Sequence, residues 1–135
     1  IIGGPWNNNP YGKKLMRKIS AELGQNVWFA GEVNHSKKFA LLKACSIYLS
    51  ASKSENFGLS ILEALMTNTV VIAGENQPWL AEIKANFGYS LPLCPSKYFD
   101  AICFTLQSTS PLPVFKPLLI HYPWEDMYRD SLRLR

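Results

Sequence analysis

The stretch that decides the fold is Ser50–Glu82, SASKSENFGLSILEALMTNTVVIAGENQPWLAE. Apolar residues between Ile61 and Met66 have the spacing of a buried helix. Val70–Ala73 is a continuous apolar run, which is typical of a strand covered on both faces of a parallel sheet. The stretch therefore predicts a helix that starts near Gly58 and a buried strand after it, with Asn68 closing the helix in a left-handed conformation.

The rest of the chain alternates in the same way between short apolar runs and amphipathic stretches. Strands are predicted at 1–3, 27–30, 47–49 and 89–91, and helices at 10–23, 36–45, 78–85, 96–107 and 124–134, with a docked connector at 108–123. The residues expected to face inward on three of the helices are Tyr11, Leu15, Met16, Ile19 and Leu23; Leu41, Leu42 and Cys45; and Tyr98, Phe99, Ile102, Cys103 and Leu106. This alternation predicts an α/β fold, a doubly wound, Rossmann-like parallel sheet with helices on both faces.

Two carboxylates, Glu55 and Glu63, bracket the predicted helix start. The N–H groups at a helix start have no intrahelical acceptor, and the helix dipole favours an anion there. The backbone of Phe57, Gly58, Leu59 and Ser60 is therefore a candidate phosphate site. Glu55 precedes this site in the chain, and Glu63 lies roughly 7 Å further along the helix axis. In a doubly wound sheet this site would lie beyond the carboxyl ends of the strands, beside Gly31, Ser50 and Ala73.

The spacing of Glu55 and Glu63 resembles the E-x(7)-E motif of retaining glycosyltransferases with the GT-B fold, a group that includes glycogen and sucrose synthases. The order of elements around the motif, from Gly3-Gly4-Pro5 to Trp124-Glu125, is also similar. The resemblance implies the donor-binding, C-terminal half of such an enzyme, one half of the GT-B fold. The domain expected is therefore a single nucleotide-sugar-binding domain over 1–135. The N-terminal acceptor domain and the first part of the C-terminal domain are expected to be absent.

The resemblance also implies a role for each site residue. Glu55 would lie beside the donor sugar as the catalytic-site carboxylate, and Glu63 would accept hydrogen bonds from the ribose hydroxyls. The backbone of Phe57, Gly58, Leu59 and Ser60 would contact the sugar and the diphosphate. The base would lie near Gly31, Glu32 and Val33. The donor would be a UDP-, GDP- or ADP-linked hexose transferred to a glycan or a lipid-linked acceptor, with no metal and no cofactor.

The sequence departs from the family pattern in three places, of which Val70, where the family favours Pro, is a harmless change. Glu75-Asn76-Gln77-Pro78 stands where the family has Gly-Gly, and the upstream Arg and Lys that grip the diphosphate have no counterpart. These departures favour a chain with little transferase activity on its own. The alternatives are a stand-alone, non-catalytic nucleotide-sugar-binding or regulatory module, and a GT-B enzyme of another reaction such as a sugar-nucleotide epimerase.

Composition and charge limit the possible class of protein further. The chain has 135 residues, 47% of them hydrophobic, which is enough for one ordinary core. A net charge of +4 does not by itself indicate a nucleic-acid partner. Cys45, Cys94 and Cys103 are odd in number and surrounded by apolar residues, which predicts buried, reduced thiols in a cytoplasmic protein.

A basic cluster, Lys13, Lys14, Arg17 and Lys18, occupies the side of its helix opposite Leu15 and Ile19. One interpretation is a solvated face. The other is peripheral contact with an acidic membrane surface, which would suit a transferase that works on lipid-linked acceptors.

Overall fold

The computed structural model describes residues 2–3, 10–86 and 88–107, and it divides into two units, Ile1–Lys38 and Phe39–Arg135. The predicted connector at 108–123 and the last predicted helix at 124–134 lie outside the described residues. The helices and strands, in chain order, are β1 Ile2–Gly3, α1 Pro10–Leu23, β2 Phe29–Gly31, α2 His35–Ala44, β3 Ile47–Ser50, α3 Leu59–Met66, β4 Val70–Gly74, α4 Leu80–Ala85, β5 Tyr89–Leu91 and α5 Pro95–Gln107.

The first unit contains a short parallel pair of strands. β1 pairs with β2, with Ile2 opposite Phe29 and Gly3 opposite Gly31. β2 was expected at 27–30 but begins at Phe29, because a 3-10 turn at Gly24–Asn26 lengthens the connection from α1. The side-chain amide oxygen of Asn34 accepts a 3.0 Å hydrogen bond from the Lys37 N–H at the start of α2.

α1 forms where it was predicted, but the inward-facing residues of α1 were partly wrong. Tyr11 is 75% exposed, and Leu15 and Leu23 are exposed as well. Gly12 is the buried residue of the helix, and Met16 and Ile19 are partly buried. The buried side of α1 is therefore narrower than its apolar side, and Tyr11 and Leu15 lie beyond the buried part.

The second unit contains a parallel sheet in the order β3-β4-β5. β3 is in register with β4 from Ile47 opposite Val70 to Ser50 opposite Ala73. β4 is in register with β5 through Ala73 opposite Ser90. With helices flanking this parallel sheet, the predicted Rossmann-like α/β class is confirmed.

β4 is the centre of the core, and all five of its residues are buried. Val71 and Ala73 pack on one side with apolar side chains of three helices, Leu42, Ile61, Ala64, Leu65 and Ile83. Val70 and Ile72 project to the other side and are also 0% exposed, and α5 lies against β4 and β5. Side chains alternate across a strand, so burial of every residue means that both sheet faces are covered.

The connection from α3 to β4 follows the sequence prediction. Asn68 has φ 57°, the left-handed conformation expected of a residue that closes a helix. The buried hydroxyl of Thr69 then donates a 2.8 Å hydrogen bond to the Leu42 carbonyl at the end of α2. This bond attaches the α3–β4 connection to the end of α2, 27 positions earlier in the chain.

α4 and α5 differ from prediction in detail. α4 begins at Leu80 rather than Pro78, because Trp79 is left-handed with φ 69° and cannot be part of the helix. On α5, Ala101 is buried and Tyr98 and Ile102 are partly buried. Phe99 and Leu106, which were expected to face inward, are 65% and 63% exposed.

Candidate functional site

The candidate site is formed where the three parallel strands of the second unit end. β3 ends at Ser50, β4 at Gly74 and β5 at Leu91, all at the carboxyl edge of one sheet. The segments that follow these strands therefore come together, and this edge is where open α/β sheets bind ligands. We call the segment 51–58, between β3 and α3, the motif loop.

The motif loop ends in a left-handed glycine at the start of α3. Gly58 has φ 69° and precedes the first helical residue, Leu59. The N–H groups of Ile61 and Leu62 both donate to the Gly58 carbonyl, at 3.0 and 3.1 Å. As at any helix start, the N–H groups before them have no intrahelical acceptor and carry the positive end of the dipole.

Both predicted carboxylates lie within electrostatic reach of one side chain, Tyr48. Burial raises the pKa of the Tyr48 phenol, hydrogen bonding with Ser60 lowers it, and the charges of Glu55 and Glu63 raise it further. Glu55 is exposed in the motif loop, and Glu63 is partly buried on α3. Glu55, Ser60 and Glu63 therefore all act on the pKa of the Tyr48 phenol.

Tyr48 was missed by the sequence analysis. It lies in the middle of β3 and packs partly against the hydrophobic core while its hydroxyl reaches the site. The sequence feature that could have identified it is an aromatic residue with a hydroxyl group between Ile47 and Leu49, two positions before the end of the strand. Side chains two positions apart on a strand share a face, so Tyr48 and Ser50 lie on the same side of β3.

The other predicted site residues fall into two groups. Around the helix start, Gly58 is buried, while Phe57, Leu59 and Ser60 are exposed. The residues predicted for the base belong to the first unit at the end of β2, where Gly31 has φ 67°, Glu32 is exposed and Val33 is partly buried.

Three side chains donate hydrogen bonds to backbone carbonyls of β3 and the motif loop. Tyr98 Oη donates to the Ser50 carbonyl at 3.1 Å, and Gln77 Nε2 donates to the Ser52 carbonyl at 2.8 Å. Trp79 Nε1 donates to the Phe57 carbonyl at 2.6 Å. The donors come from α5 and from the segment after β4, so all three strand ends take part in holding one loop.

Gln77, in the turn after β4, is 5% exposed. Its other amide atom, Oε1, is buried and has no hydrogen-bond partner among the described residues. A Cβ added to Gly74 would lie 3.1 Å from the Ser52 carbonyl oxygen and 3.5 Å from Gln77 Nε2. The turn after β4 is therefore filled by a side chain that is bonded to the motif loop.

Cys94 lies at the same edge, immediately before α5. Its Sγ is 3.2 Å from Ser96 Oγ. Hydrogen bonding with the Ser96 side chain, and then with the N–H groups of Lys97 and Ser96, lowers the pKa of the Cys94 thiol. All three cysteines are free, as predicted, but each is only partly buried, so the expectation of fully buried thiols was wrong.

Two searches of the described residues gave negative results. No group of three or more His, Cys, Asp or Glu side chains is placed to hold a metal ion in residues 2–3, 10–86 and 88–107. In the same residues, no helix is both long and apolar enough to cross a bilayer.

The comparison with protein families identifies the class. The family model described as glycosyl transferases group 1 matches residues 1–96, well over half of the 135-residue chain. The chain belongs to the group 1 glycosyl transferases, and the chemistry associated with it is glycosyl transfer. Searches of curated proteins and of solved structures returned no match.

Proposed function

We propose that this chain is the donor-binding domain of a retaining GT-B glycosyltransferase, which transfers a hexose from a nucleotide sugar to a glycan or a lipid-linked acceptor. The observation that carries the proposal is that Glu55 precedes the start of α3 and Glu63 lies on α3, at the carboxyl edge of the sheet, and that the charges of both raise the pKa of Tyr48. A family motif and an anion-favouring helix start thus occur together where α/β sheets bind ligands.

The proposed roles follow from the chemistry of each group. Glu63 accepts hydrogen bonds from the two vicinal ribose hydroxyls, which suits a carboxylate with two acceptor oxygens. The N–H groups at the helix start bind the diphosphate and stabilise the charge that develops as it leaves. Glu55, exposed before the helix, lies beside the donor sugar. That Gly31, Glu32 and Val33 contact the base stays a prediction from the family resemblance.

Binding of the donor is tested by calorimetric titration of the 135-residue chain with UDP, GDP and ADP and their sugar conjugates. We expect one nucleotide series to bind with micromolar to millimolar affinity. Glu63→Ala should weaken that binding by about tenfold to a hundredfold, because hydrogen bonds to a charged group contribute roughly 1.5–3 kcal/mol. Glu22→Ala, a change at an exposed carboxylate of α1, is the matched control and should bind like the parent. Binding of no nucleotide, or equal binding by the Glu63 variant, would overturn the proposal.

Transfer itself requires an acceptor-binding domain, which we place outside these 135 residues. The non-catalytic module remains the second candidate, favoured by Gln77 filling the turn where the family has Gly-Gly. An assay distinguishes the enzyme from the non-catalytic module. In this assay, the chain is mixed with a separately produced acceptor domain of the same family, a donor and an acceptor. A product whose anomeric configuration by NMR matches that of the donor supports the retaining enzyme, whereas binding without turnover supports the module.

We also propose that α1 contacts an anionic membrane surface. Tyr11 and Leu15 are exposed. Helical spacing puts Lys14 and Lys18 next to them, so only Lys13 and Arg17 of the basic cluster lie opposite Leu15, and apolar and basic groups lie side by side on one exposed face of the helix. Sedimentation with phosphatidylserine-containing vesicles should therefore capture the chain, and phosphatidylcholine vesicles should not.

Charge reversal provides the control for that test. Each lysine near an anionic surface contributes about 1 kcal/mol, so Lys14→Glu with Lys18→Glu should abolish the capture. Lys37→Glu with Lys43→Glu, at exposed positions of α2, should reduce it much less. Equal losses in the two double variants would count against α1 as the contact.

A further inference from the structure

The indole of Trp79 is bonded to the backbone that leads into α3. Trp79 Nε1 donates a 2.6 Å hydrogen bond to the Phe57 carbonyl. The two aromatic rings also meet edge to face, with centroids 5.3 Å apart and an interplanar angle of 86°, a favoured geometry for aromatic pairs. One side chain therefore holds both the main chain and the ring of Phe57.

The next residue pair along the two segments is in contact as well. Gly58 is buried, and a Cβ built on it would lie 2.8 Å from Pro78 Cγ. Pro78 and Trp79 thus lie against Gly58 and Phe57 at two consecutive positions. This double contact confines the last two residues before the N–H groups of the helix start.

Trp79 adopts an unusual backbone conformation to make these contacts. It is left-handed, with φ 69° and ψ 25°, immediately before α4. Bulky side chains rarely occupy this region, and such residues persist where the surrounding contacts over-determine them. The hydrogen bond and the ring contact with Phe57 offset this strain.

We propose that Trp79 is a positioning residue for the donor diphosphate. Acting through the Phe57 carbonyl, it fixes the direction in which the N–H groups of Gly58, Leu59 and Ser60 point before any ligand arrives. The proposal rests on the proposed function, because it assigns Trp79 to the diphosphate site at the start of α3. Trp79 itself does not contact the donor.

The physical reason is preorganisation. Ordering a free backbone segment at the moment of binding consumes conformational entropy, and a segment that is already ordered avoids that loss. Electrostatic donors are also most effective when they are aimed in advance at the charge they stabilise. Loss of the indole N–H should therefore reduce affinity for the diphosphate even though no ligand contact is removed.

The first measurement follows the loop without any ligand. Trp79→Phe keeps an aromatic ring but removes the donor, and Trp28→Phe, at an exposed tryptophan of the first unit, is the matched control. Amide hydrogen exchange of Ile61 and Leu62, whose N–H groups donate to the Gly58 carbonyl, should be several-fold faster in the Trp79 variant than in the parent. Trp28→Phe should leave exchange of these residues unchanged.

The second measurement is calorimetric titration of the same three proteins with inorganic pyrophosphate, UDP, GDP and ADP. Pyrophosphate, and whichever nucleotide the parent binds, should bind two- to tenfold more weakly to Trp79→Phe, and more weakly still to Trp79→Ala. Pyrophosphate discriminates positioning from direct contact. A tryptophan that stacked on the base would change nucleotide affinity and leave pyrophosphate affinity unaltered.

The outcomes separate this proposal from the proposed function. If exchange at Ile61 and Leu62 is unchanged in Trp79→Phe, the positioning role is overturned even in a parent that binds nucleotide. Faster exchange with unaltered pyrophosphate affinity also overturns it. If exchange is faster but the parent binds none of the four probes, the proposed function fails. The Phe57 contact is then structural only, and the positioning role falls with that function.

Discussion

The phenol of Tyr98 on α5 donates a 3.1 Å hydrogen bond to the backbone carbonyl of Ser50, the last residue of β3 and 48 positions earlier in the chain. This bond attaches α5 to the carboxyl edge of the sheet. Tyr98→Phe should lower the free energy of unfolding by about 0.5–1.5 kcal/mol, measured by urea denaturation. Thr105→Val removes a hydroxyl that bonds to the Ala101 carbonyl within the same helix and should change stability by less than about 0.5 kcal/mol. Equal effects of the two changes would contradict a long-range role for Tyr98.

Tyr48 should make the stability of the protein depend on alkaline pH. Its folded-state pKa is raised, first by burial, so the neutral phenol is favoured in the folded chain. An unfolded tyrosine titrates near pH 10, so this contribution is complete below about pH 10 and is lost as pH rises toward the folded-state pKa. Urea midpoints should therefore fall less steeply above about pH 10 in Tyr48→Phe than in the parent. Tyr11→Phe, at an exposed position, should behave like the parent.

Two glycines isolate the contact between Pro78 and the helix start. Gly58 and Gly31 have nearly equal φ values, 69° and 67°, but a Cβ on Gly31 meets nothing within 4 Å. Alanine at Gly31 should cost about 1–2 kcal/mol of unfolding free energy from the left-handed conformation alone. Alanine at Gly58 should cost measurably more, because Pro78 Cγ lies 2.8 Å from the new methyl group. Similar losses by chemical denaturation would show that Pro78 simply moves away.

Asn86 offers a stabilising substitution. The residue is 1% exposed, and neither atom of its side-chain amide has a hydrogen-bond partner among the described residues. Replacement of unpaired buried polar atoms by an apolar group of similar shape removes a desolvation penalty. Asn86→Leu should raise the free energy of unfolding by about 1 kcal/mol. Gln77→Leu should lower it, since Gln77 loses its bond to Ser52. A lower melting temperature for Asn86→Leu would contradict the prediction.

Cys94 should be the most reactive of the three thiols. The thiolate is the reactive form, and the Cys94 pKa is lowered chiefly by hydrogen bonding with the Ser96 side chain. Near pH 7, iodoacetamide should modify Cys94 faster than Cys45 or Cys103, as followed by peptide mass spectrometry. Ser96→Ala should slow the modification of Cys94 and leave the other two rates unchanged. Equal rates at all three positions in the parent would refute the prediction.

The strands and most helices were predictable because their apolar patterns are long enough to be distinctive. β4 is the strongest case, since an uninterrupted apolar run has one stable location, the middle of a covered sheet. Asn68 was predictable for a local reason, its tolerance of the left-handed conformation. Helical spacing identified the apolar face of each helix but not how much of that face other elements cover. For this reason Leu15 and Phe99 were predicted to face inward, whereas both are exposed.

The two carboxylates proposed for the candidate site could be identified from the sequence, but the residues that hold the motif loop in place could not. Glu55 and Glu63 carry a spaced motif, whereas Tyr48 is a single aromatic residue in a strand and matches no pattern. The left-handed Trp79 was not predictable, since nothing local favours that conformation for tryptophan. The backbone carbonyls that accept these hydrogen bonds were also not predictable, because every residue has a carbonyl group.

The three bonds that hold the motif loop all end on main-chain oxygen, at Ser50, Ser52 and Phe57. A carbonyl acceptor survives almost any substitution of the residue that carries it. Substitution of Ser50 or Ser52 therefore leaves in place the carbonyl to which Tyr98 or Gln77 donates, whereas substitution of Gln77, Trp79 or Tyr98 removes the donor itself. During evolution or in a library, these hydrogen bonds constrain the three donor positions, while Glu55 and the Phe57 ring remain constrained by the proposed donor site and by the contact with Trp79.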